Sequence, residues 1–444
     1  MLQRVRYLVA DLAYWISRHK LIAAAAIVLV LGGAATAAIL VLAGSGEDEP
    51  RADAPAPPAV IIEQPAREEE PEELETEDLG FPAFATKNTT RVAGSSSTAN
   101  AAAVALAVFP STGGVDGPSA VSVVDSEDWH AGLAAASLVA EPVRAPVLLS
   151  EGGELPDLSA GALRALDPSG SADTGGDGLF VFGEAGKPGG ELGLRRVEGT
   201  NAAEIAAEAD KLRGELAGPP EHVLIASSDE PAFAMPAAGW AARSGDPVLF
   251  AQRNSLPAAT RAALERHART PVYVLGPESV ISDQVLDEIR KLSPSVERIG
   301  AEAPVENAIA FARYADGSFG WNINDPGHGL VIANAERPLD AAAAAPLSAS
   351  GTWGPLLITD DAGSLPSPLR GFLLDLKPGY LDDPTRAVYN HVWLIGDTET
   401  LSVGFGAQVD ELAEVAPVTS GAGAPEVEER QADTGRDGNK DESR

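Results

Sequence analysis

The sequence predicts an α/β protein in which three tandem repeats each form a parallel β-sheet covered by helices. Short apolar runs alternate with alanine-rich helical patterns along most of the chain, an order typical of sheets that are buried on both faces. The same landmarks recur three times with a period near 100 residues. One long apolar segment precedes the repeats. Together these observations predict a globular repeat region that follows a membrane-targeting segment.

Each predicted repeat opens with an arginine that is followed by small and apolar residues. The three arginines, Arg91, Arg196 and Arg298, are 105 and 102 residues apart. An alanine-rich helical pattern follows each of them, at 99–108, 202–216 and 305–314. A first apolar strand comes next, at 121–124, 223–226 and 330–333. This shared order indicates that the three segments adopt the same fold.

The later landmarks of each repeat are a strand that begins with proline, a Leu-Pro pair, and a strand that ends in glycine. Proline is tolerated at the first position of a strand because its missing N–H need not enter the ladder there. After a leucine it suits the start of a helix, and the glycine allows a tight exit with positive φ. The positions are Pro146, Pro247 and Pro355; Pro156, Pro257 and Pro366; and Gly183, Gly276 and Gly396. The pattern predicts four parallel strands and three to four helices per repeat.

Residues 21–43 carry no charge and are predicted to form a transmembrane helix. At a rise of 1.5 Å per residue the segment spans about 34 Å, enough for a hydrocarbon core of roughly 30 Å. Four basic residues and one acid precede it, so the positive-inside rule places residues 1–20 in the cytoplasm and the bulk of the chain outside, as a single-pass membrane protein. A cleaved signal peptide is the alternative, because Ala35-Thr36-Ala37 resembles a cleavage site.

The net charge of the chain is strongly negative and unevenly distributed. Residues 44–85 are rich in proline and acids, and residues 420–444 are polar, so both are predicted to be disordered. Of the total charge of −33, residues 81–420 carry −22. Such a surface disfavours nucleic acid, whose binding requires cations that neutralise phosphates. Cysteine is absent, which excludes disulfides, Cys-ligated zinc and thiol nucleophiles.

The combined order of these landmarks resembles the cell wall-binding repeat 2 family, which occurs as three tandem copies in exported envelope proteins. The resemblance covers three segments, 89–190, 194–293 and 296–416. It implies a Toprim-like fold for each copy, a pseudo-threefold arrangement of the copies, and non-covalent attachment to an anionic cell-wall polysaccharide. The family's Pro-Ile-Leu-Leu element, linked to that attachment, corresponds to Pro146, Val147, Leu148 and Leu149.

The copies differ from the family pattern at one acidic position. The third repeat keeps the acid of the family's Asp-Ala-Leu turn as Asp340, whereas the second has Phe233 and the first has Ala131. The first copy also lacks an obvious last helix. These departures affect side chains at the expected polymer site more than residues that specify the fold.

Ligands of open parallel sheets bind beyond the carboxyl ends of the strands, where this sequence places polar side chains. Carboxylates and short polar groups suit sugar hydroxyls and also bind Ca²⁺ or Mg²⁺. Given the charge of −22, we expect an anionic polymer to be held by arginines or by a bridging divalent cation, with no other cofactor. The predicted polymer-binding residues are Arg91, Arg196, Arg298, Pro146, Val147, Leu148, Leu149, Asp125, Asp128, Asp229, Arg337 and Asp340.

The sequence contains no motif of a known catalytic site. Its six histidines occur singly, and neither a zinc-protease motif, a Gly-x-Ser-x-Gly elbow nor a Walker-type loop is present. We therefore predict a membrane-anchored extracytoplasmic protein that binds wall glycopolymer without catalysis. The alternatives are a scaffold that recruits an envelope protein and, less well supported, a carbohydrate-active hydrolase. The sequence does not indicate the oligomeric state.

Overall fold

The computed structural model describes residues 84–109, 117–186, 192–350, 353–381 and 383–418. The predicted transmembrane segment 21–43, nearly all of the predicted linker 44–85 and the tail 420–444 lie outside these ranges. Within them, no helix has both the length and the apolarity that crossing a membrane requires. The predicted repeat region is therefore the part of the chain whose fold is established.

The elements follow one another as alternating strands and helices. The first repeat contains β1 (Phe84–Ala85), β2 (Thr89–Val92), α1 (Ser97–Val108), β3 (Val121–Asp125), α2 (Trp129–Ala135), β4 (Val147–Ser150), α3 (Asp157–Leu166) and β5 (Leu179–Phe182). The second contains β6 (Leu194–Val197), α4 (Ala202–Ala217), β7 (Val223–Ser227), α5 (Pro231–Ala234), α6 (Pro236–Ser244), β8 (Val248–Ala251), α7 (Ala258–Arg266), β9 (Val272–Leu275) and α8 (Asp283–Ile289).

The third repeat has the same order with two short additional strands. It contains β10 (Val296–Ile299), α9 (Pro304–Arg313), β11 (Gly329–Asn334), α10 (Leu339–Ala349), β12 (Leu356–Thr359), α11 (Ser367–Asp375), β13 (Gly379–Tyr380), β14 (His391–Ile395), α12 (Val403–Ala413) and β15 (Ala416–Pro417). Short 3₁₀ helices occur at Ala136–Val139, Ala172–Thr174 and Pro384–Arg386. The predicted α/β class with parallel-sheet repeats is confirmed.

The strand that opens each repeat pairs with the sheet of a different repeat. The three main sheets have the orders β4-β3-β5-β6, β8-β7-β9-β10 and β12-β11-β14-β2, and all these neighbours are parallel. Strands β6 and β10 thus complete the sheet of the preceding repeat. Strand β2 completes the third sheet, with Thr89 opposite Val392 and Val92 opposite Ile395. The exchange is cyclic and joins the two ends of the repeat region.

The first helix of each repeat packs on its own repeat's sheet, which interlocks the repeats. Helices α1, α4 and α9 contact the second strands β4, β8 and β12, while the strand before each helix belongs to the neighbouring sheet. Helices α2, α6 and α10 meet one another between the sheets. A Cβ on Gly132 would lie 2.8 Å from Leu339 Cδ2, and one on Gly239 would lie 2.9 Å from Ser348 Oγ. Small residues therefore permit this close approach.

The predicted landmarks have the local roles expected from their chemistry. Pro146, Pro247 and Pro355 stand just before buried strands, and their carbonyls accept from the N–H of Ser122, Leu224 and Val331. The glycines after the third strands have φ of 53°, 116° and 112°. One correction concerns the predicted linker, whose last two residues form β1 and pair with Thr90 and Arg91. These two residues are ordered by backbone pairing with an open sheet edge, a contact that composition does not predict.

Candidate functional site

Two cavities occupy equivalent places between neighbouring repeats. Each lies where the carboxyl end of a first strand and the start of a first helix meet the turn after the first strand of the preceding repeat. Cavity A, of about 420 Å³, joins repeats 1 and 2 and is lined by His130, Asn201, Ala202, Ala203, Ser228, Asp229, Phe250, Gln252 and Pro257. Cavity B, of about 240 Å³, joins repeats 3 and 1 and is lined by Ser97, Ser126, Glu127, Trp129, Glu336, Arg337, Pro338 and Leu339.

Local turn chemistry positions the polar groups of cavity A. The side chain of Asn201 caps α4 by accepting from the N–H of Glu204 at 3.1 Å. At the end of β7, Ser227 Oγ accepts from the N–H of Asp229 at 3.0 Å, which turns the chain away from the sheet. Asp229 Oδ2 in turn accepts from the N–H of Arg253 at 3.1 Å. The Asp229 carboxylate is exposed, so it can still accept hydrogen bonds from a ligand.

His130 brings the first repeat into cavity A. Its ring lies 2.9 Å through Nε2 from the carbonyl of Ser228, stacks on Trp129 at 3.7 Å, and meets the edge of Phe250 at 5.1 Å. Because a carbonyl can only accept, Nε2 carries the proton in this contact. His130 is therefore held at the cavity by a hydrogen bond on one edge of its ring and by two aromatic neighbours.

Cavity B contains an arginine that is held by a fully buried acid. Arg337 Nε lies 3.0 Å from Asp340 Oδ2, and Nη1 donates to Thr400 Oγ1 at 2.6 Å. Asn100 from the first repeat donates to Asp340 Oδ1 at 3.2 Å. Asp340 is 0% exposed while the side chain of Arg337 is 20% exposed. The pair thus fixes a partly accessible guanidinium at the cavity.

The acids at the two cavities have opposite pKa shifts. Burial raises the pKa of Asp340, and the favourable effects of Arg337, Ser97 and Asn100 do not reverse that shift. At Asp128, beside cavity A, burial acts in the same direction, but hydrogen bonds from His130 and the Ala131 N–H outweigh it and lower the pKa. Asp128 also caps α2. Local hydrogen bonds therefore favour the charged form of Asp128, whereas burial disfavours the charged form of Asp340.

The three repeat-opening arginines are not among the residues that line cavities A and B, and they bind backbone carbonyls. Arg91 is buried and donates to the carbonyls of Gly396, Asp397 and Ser402 at 3.0, 2.9 and 3.3 Å. Arg196 donates to the carbonyl of Gly183, and Arg298 donates to that of Gly276 at 2.8 Å. Each arginine therefore ties the exchanged opening strand to the glycine that ends the neighbouring strand. Burial lowers the pKa of Arg91 even with Asp397 nearby.

The other predicted residues divide between the core and the cavity rim. Pro146, Val147, Leu148 and Leu149 are buried, so their side chains pack within the first sheet and present no surface. Asp125 accepts from the N–H of Glu127 at 2.9 Å, next to cavity B. Asp229 lines cavity A and Arg337 lines cavity B. The structure thus places Arg337, Asp340 and Asp125 at cavity B, whereas Asp128 lies beside His130 of cavity A.

His130, Asn201 and Gln252 line cavity A but are not among the residues predicted from the sequence. Asn201 carried a recognisable signal, because an asparagine before an alanine-rich helix is a common N-cap. His130 and Gln252 carried none, since their place at the cavity depends on contact between repeats. As for metals, the described ranges contain no cluster of three or more His, Asp or Glu side chains that could hold an ion.

The chain is similar to known proteins in its fold and, over one segment, in its sequence. Two Clostridium difficile structures share the fold: Cwp6, at 18% identity and a TM-score of 0.56, and Cwp8, at 21% and 0.57. Each alignment covers 74% of this chain, and the chain spans about half of each structure, 48% and 52% respectively. No curated protein sequence matches the chain. Residues 196–286 match the family model described as cell wall binding domain 2 (CWB2), which confirms the family resemblance predicted from the sequence.

Proposed function

We propose that the chain binds a cell-wall glycopolymer in the cavities between its repeats. One observation carries this proposal: the segment that matches the CWB2 model, 196–286, supplies every lining residue of cavity A except His130. Binding of this kind is non-covalent and requires no bond to be broken. Toprim-like units in a pseudo-threefold arrangement remain part of the proposal, supported by the cyclic exchange of strands.

The chemistry of the cavities suits sugars. Cavity A offers a carboxylate, two side-chain amides and a serine beside the rings of His130 and Phe250. Its volume of about 420 Å³ falls in the usual range of about 300–1,000 Å³ for small-ligand sites. Cavity B adds the guanidinium of Arg337, together with the carboxylates of Glu127 and Glu336. We infer that cavity A holds neutral sugar hydroxyls and that Arg337 binds an anionic group of the same polymer.

Charge is the main obstacle to binding an anionic polymer, because residues 81–420 carry −22. Either Arg337 supplies the local positive charge or a divalent cation bridges polymer and carboxylates. The described residues contain no ready-made cation cluster, so such a bridge needs ligands from the polymer itself. We favour Arg337, whose ion pair with Asp340 keeps it in place.

The location of the chain is the second part of the proposal. Residues 21–43 would anchor it in the cell membrane with residues 1–20 in the cytoplasm, and the acidic segment that follows would hold the repeats away from the bilayer. The repeats would then face the cell wall. A signal peptide cleaved after residue 37 would release the same repeats to the wall, so the two arrangements differ in membrane attachment alone.

Sedimentation with purified cell walls tests the binding proposal. The full chain in mild detergent is mixed with walls before and after their secondary polysaccharide is removed, with and without a chelator. We expect co-sedimentation that is lost on stripping, is insensitive to the chelator, and weakens at high salt. Asp229→Asn should weaken binding, while the control Asp287→Asn, at an exposed acid of α8, should not. Equal sedimentation with stripped walls would favour a scaffold that recruits an envelope protein.

A further inference from the structure

A serine, a histidine and an aspartate form a hydrogen-bonded line at the amino-terminal edge of the second sheet. Ser318 Oγ lies 3.1 Å from His222 Nε2, and His222 Nδ1 lies 3.1 Å from Asp246 Oδ2. His222 stands just before β7 and Asp246 just before β8, whereas Ser318 comes from the loop after α9 in the third repeat. These distances and this order of atoms are those of a nucleophile, a base and an orienting acid.

The contacts of Asp246 determine which nitrogen of His222 carries the proton. Asp246 is 2% exposed and accepts from the His222 backbone N–H at 3.0 Å and from Trp240 Nε1 at 2.8 Å. Its carboxylate is an acceptor in these contacts, so the neutral imidazole donates to it through Nδ1. Nε2 then has a free lone pair and accepts from the hydroxyl of Ser318. This is the protonation pattern required for general-base activation of a serine.

The turn that carries Ser318 is held rigidly against His222. Asp316 and Phe319 exchange two backbone hydrogen bonds of 2.8 and 3.0 Å around Gly317 and Ser318. Tyr273 donates to Asp316 Oδ2 at 2.9 Å, and its ring stacks on Phe319 at 3.6 Å with an interplanar angle of 1°. Phe319 also meets the edge of His222 at 5.2 Å. The turn is thus positioned by buried groups, while Ser318 itself is exposed to solvent.

A cavity opens beside Ser318, and the positively charged side chain of Arg243 lines it. It measures about 300 Å³ and is lined by Glu221, His222, Trp240, Arg243, Ser244, Asp246 and Ser318. The guanidinium of Arg243 stacks on the ring of Trp353 at 3.5 Å, which restrains it. A fixed cation in such a cavity can stabilise negative charge that develops during a reaction. His222 and Ser228, which lines cavity A, are six positions apart and flank β7, so the two sites lie about 20 Å from each other along the strand.

We propose that Ser318, His222 and Asp246 form a serine-esterase site that hydrolyses short-chain carboxylic esters. Ser318 Oγ attacks the ester carbonyl as its proton moves to His222 Nε2, and Arg243 stabilises the oxyanion. The C–O bond to the alcohol breaks, and the alcohol leaves with the proton from Nε2. Water then attacks the acyl-serine, its proton passes through Nε2, and the acid is released with Ser318 regenerated. The small cavity suits a short acyl group.

This site is independent of the proposed polymer binding, and it differs from the sequence-based expectation of no catalysis. That expectation depended on motifs in which the reacting residues are close in the chain. Here Ser318 and His222 are separated by 96 residues. A wall-sedimentation result therefore neither supports nor contradicts the esterase proposal.

Covalent labelling tests the proposal directly. The full chain in mild detergent is treated with an alkyl fluorophosphonate, and labelled peptides are located by mass spectrometry. We expect one label, on Ser318, because phosphonylation of a serine requires the activation that His222 provides. The matched control is Ser255→Ala, since Ser255 is an exposed serine in a similar four-residue turn, Gln252–Ser255, where it bonds to Gln252. Labelling equal in wild type and Ser318→Ala would overturn the proposal.

Hydrolysis of p-nitrophenyl acetate provides the second readout. Ser318→Ala should reduce the rate by about 100-fold or more, and Ser255→Ala should leave it unchanged. Asp246 acts through His222 and is therefore a positioning residue. Asp246→Asn should lower kcat with little change in KM, and thermal unfolding will verify that the variant is folded. A rate that Ser318→Ala does not change would contradict the assignment even if the serine can be labelled.

Discussion

Cavities A and B share one backbone arrangement and differ in the charge that their side chains provide. In cavity B the position equivalent to Ala131 is Asp340, which holds Arg337 at the cavity. In cavity A the neutral Ala131 leaves His130 as the main contribution of the preceding repeat. The repeat fold therefore tolerates both solutions, because strand exchange and helix packing position the cavity whichever side chains line it. Binding chemistry can therefore diverge between repeats without loss of the fold.

Placing the third repeat's acid in the first repeat should have the largest effect. Ala131 is 1% exposed and no arginine is among the residues that line cavity A, so we expect Ala131→Asp to bury an unpaired charge. We expect the free energy of unfolding to fall by about 4 kcal/mol. Denaturant unfolding measures the change, and Ala131→Asn, similar in shape but neutral, is the control. A loss equally large for Asn would mean that size rather than charge decides this position.

Removing Asp340, the acid of cavity B, should lower the free energy of unfolding slightly less than Ala131→Asp does. Asp340→Ala leaves Arg337 with Thr400 and a backbone carbonyl as partners, and it removes the acceptor of Asn100. We expect a loss of about 3 kcal/mol in the free energy of unfolding, together with weaker wall binding. Asp340→Asn should retain the contact with Asn100 and lose less stability. If both variants are as stable as wild type, the ion pair does not support the cavity.

Neutralising the guanidinium itself should change binding more than stability. Arg337→Gln is expected to reduce affinity for polymer-bearing walls about tenfold, equivalent to about 1.4 kcal/mol, and to make the remaining binding less sensitive to salt. The control is Arg370→Gln, which makes the same change of charge at an exposed site on α11. An equal effect of both variants would show that overall charge, and not cavity B, governs binding.

The smallest expected effect is an opposite response of the two acids to pH. The folded-state pKa of Asp128 is lowered, so its contribution to stability is present above the unfolded pKa of about 3.9 and is lost as the pH falls. The folded-state pKa of Asp340 is raised, so its contribution is present below that value and is lost as the pH rises. As the pH falls from 7 to 3, the melting temperature of Asp128→Asn should therefore decrease less than that of wild type.

For Asp340→Asn, the difference in stability from wild type should depend on pH in the opposite direction. Its stability relative to wild type should improve as the pH rises from about 4 to 7, because the asparagine does not ionise within the core. The same series of melting temperatures measures both variants. Parallel pH profiles for the two variants would contradict the contrast between the cavities.

Most of the fold could be predicted from the sequence, whereas the candidate site could be predicted only in outline. The carboxyl ends of the strands were predicted to carry the ligand site, and Asp229 and Arg337 do line cavities there. Pro146 to Leu149 were proposed for binding through the family resemblance, and the structure places them in the core. Burial could have been expected from their unbroken apolar run, which is typical of a strand covered on both faces. His130 could not have been assigned, because its neighbours belong to another repeat.

The sequence by itself determined the order of strands and helices, the threefold repetition and the positions of the turns. These features depend on local preferences: proline before a strand, glycine at positive φ, and alanine where helices approach closely. The tertiary structure alone decided that each opening strand joins another repeat's sheet, that cavities form between repeats, and that Ser318 meets His222. Contacts between residues about 100 positions apart depend on how whole elements pack, which short-range sequence patterns do not encode.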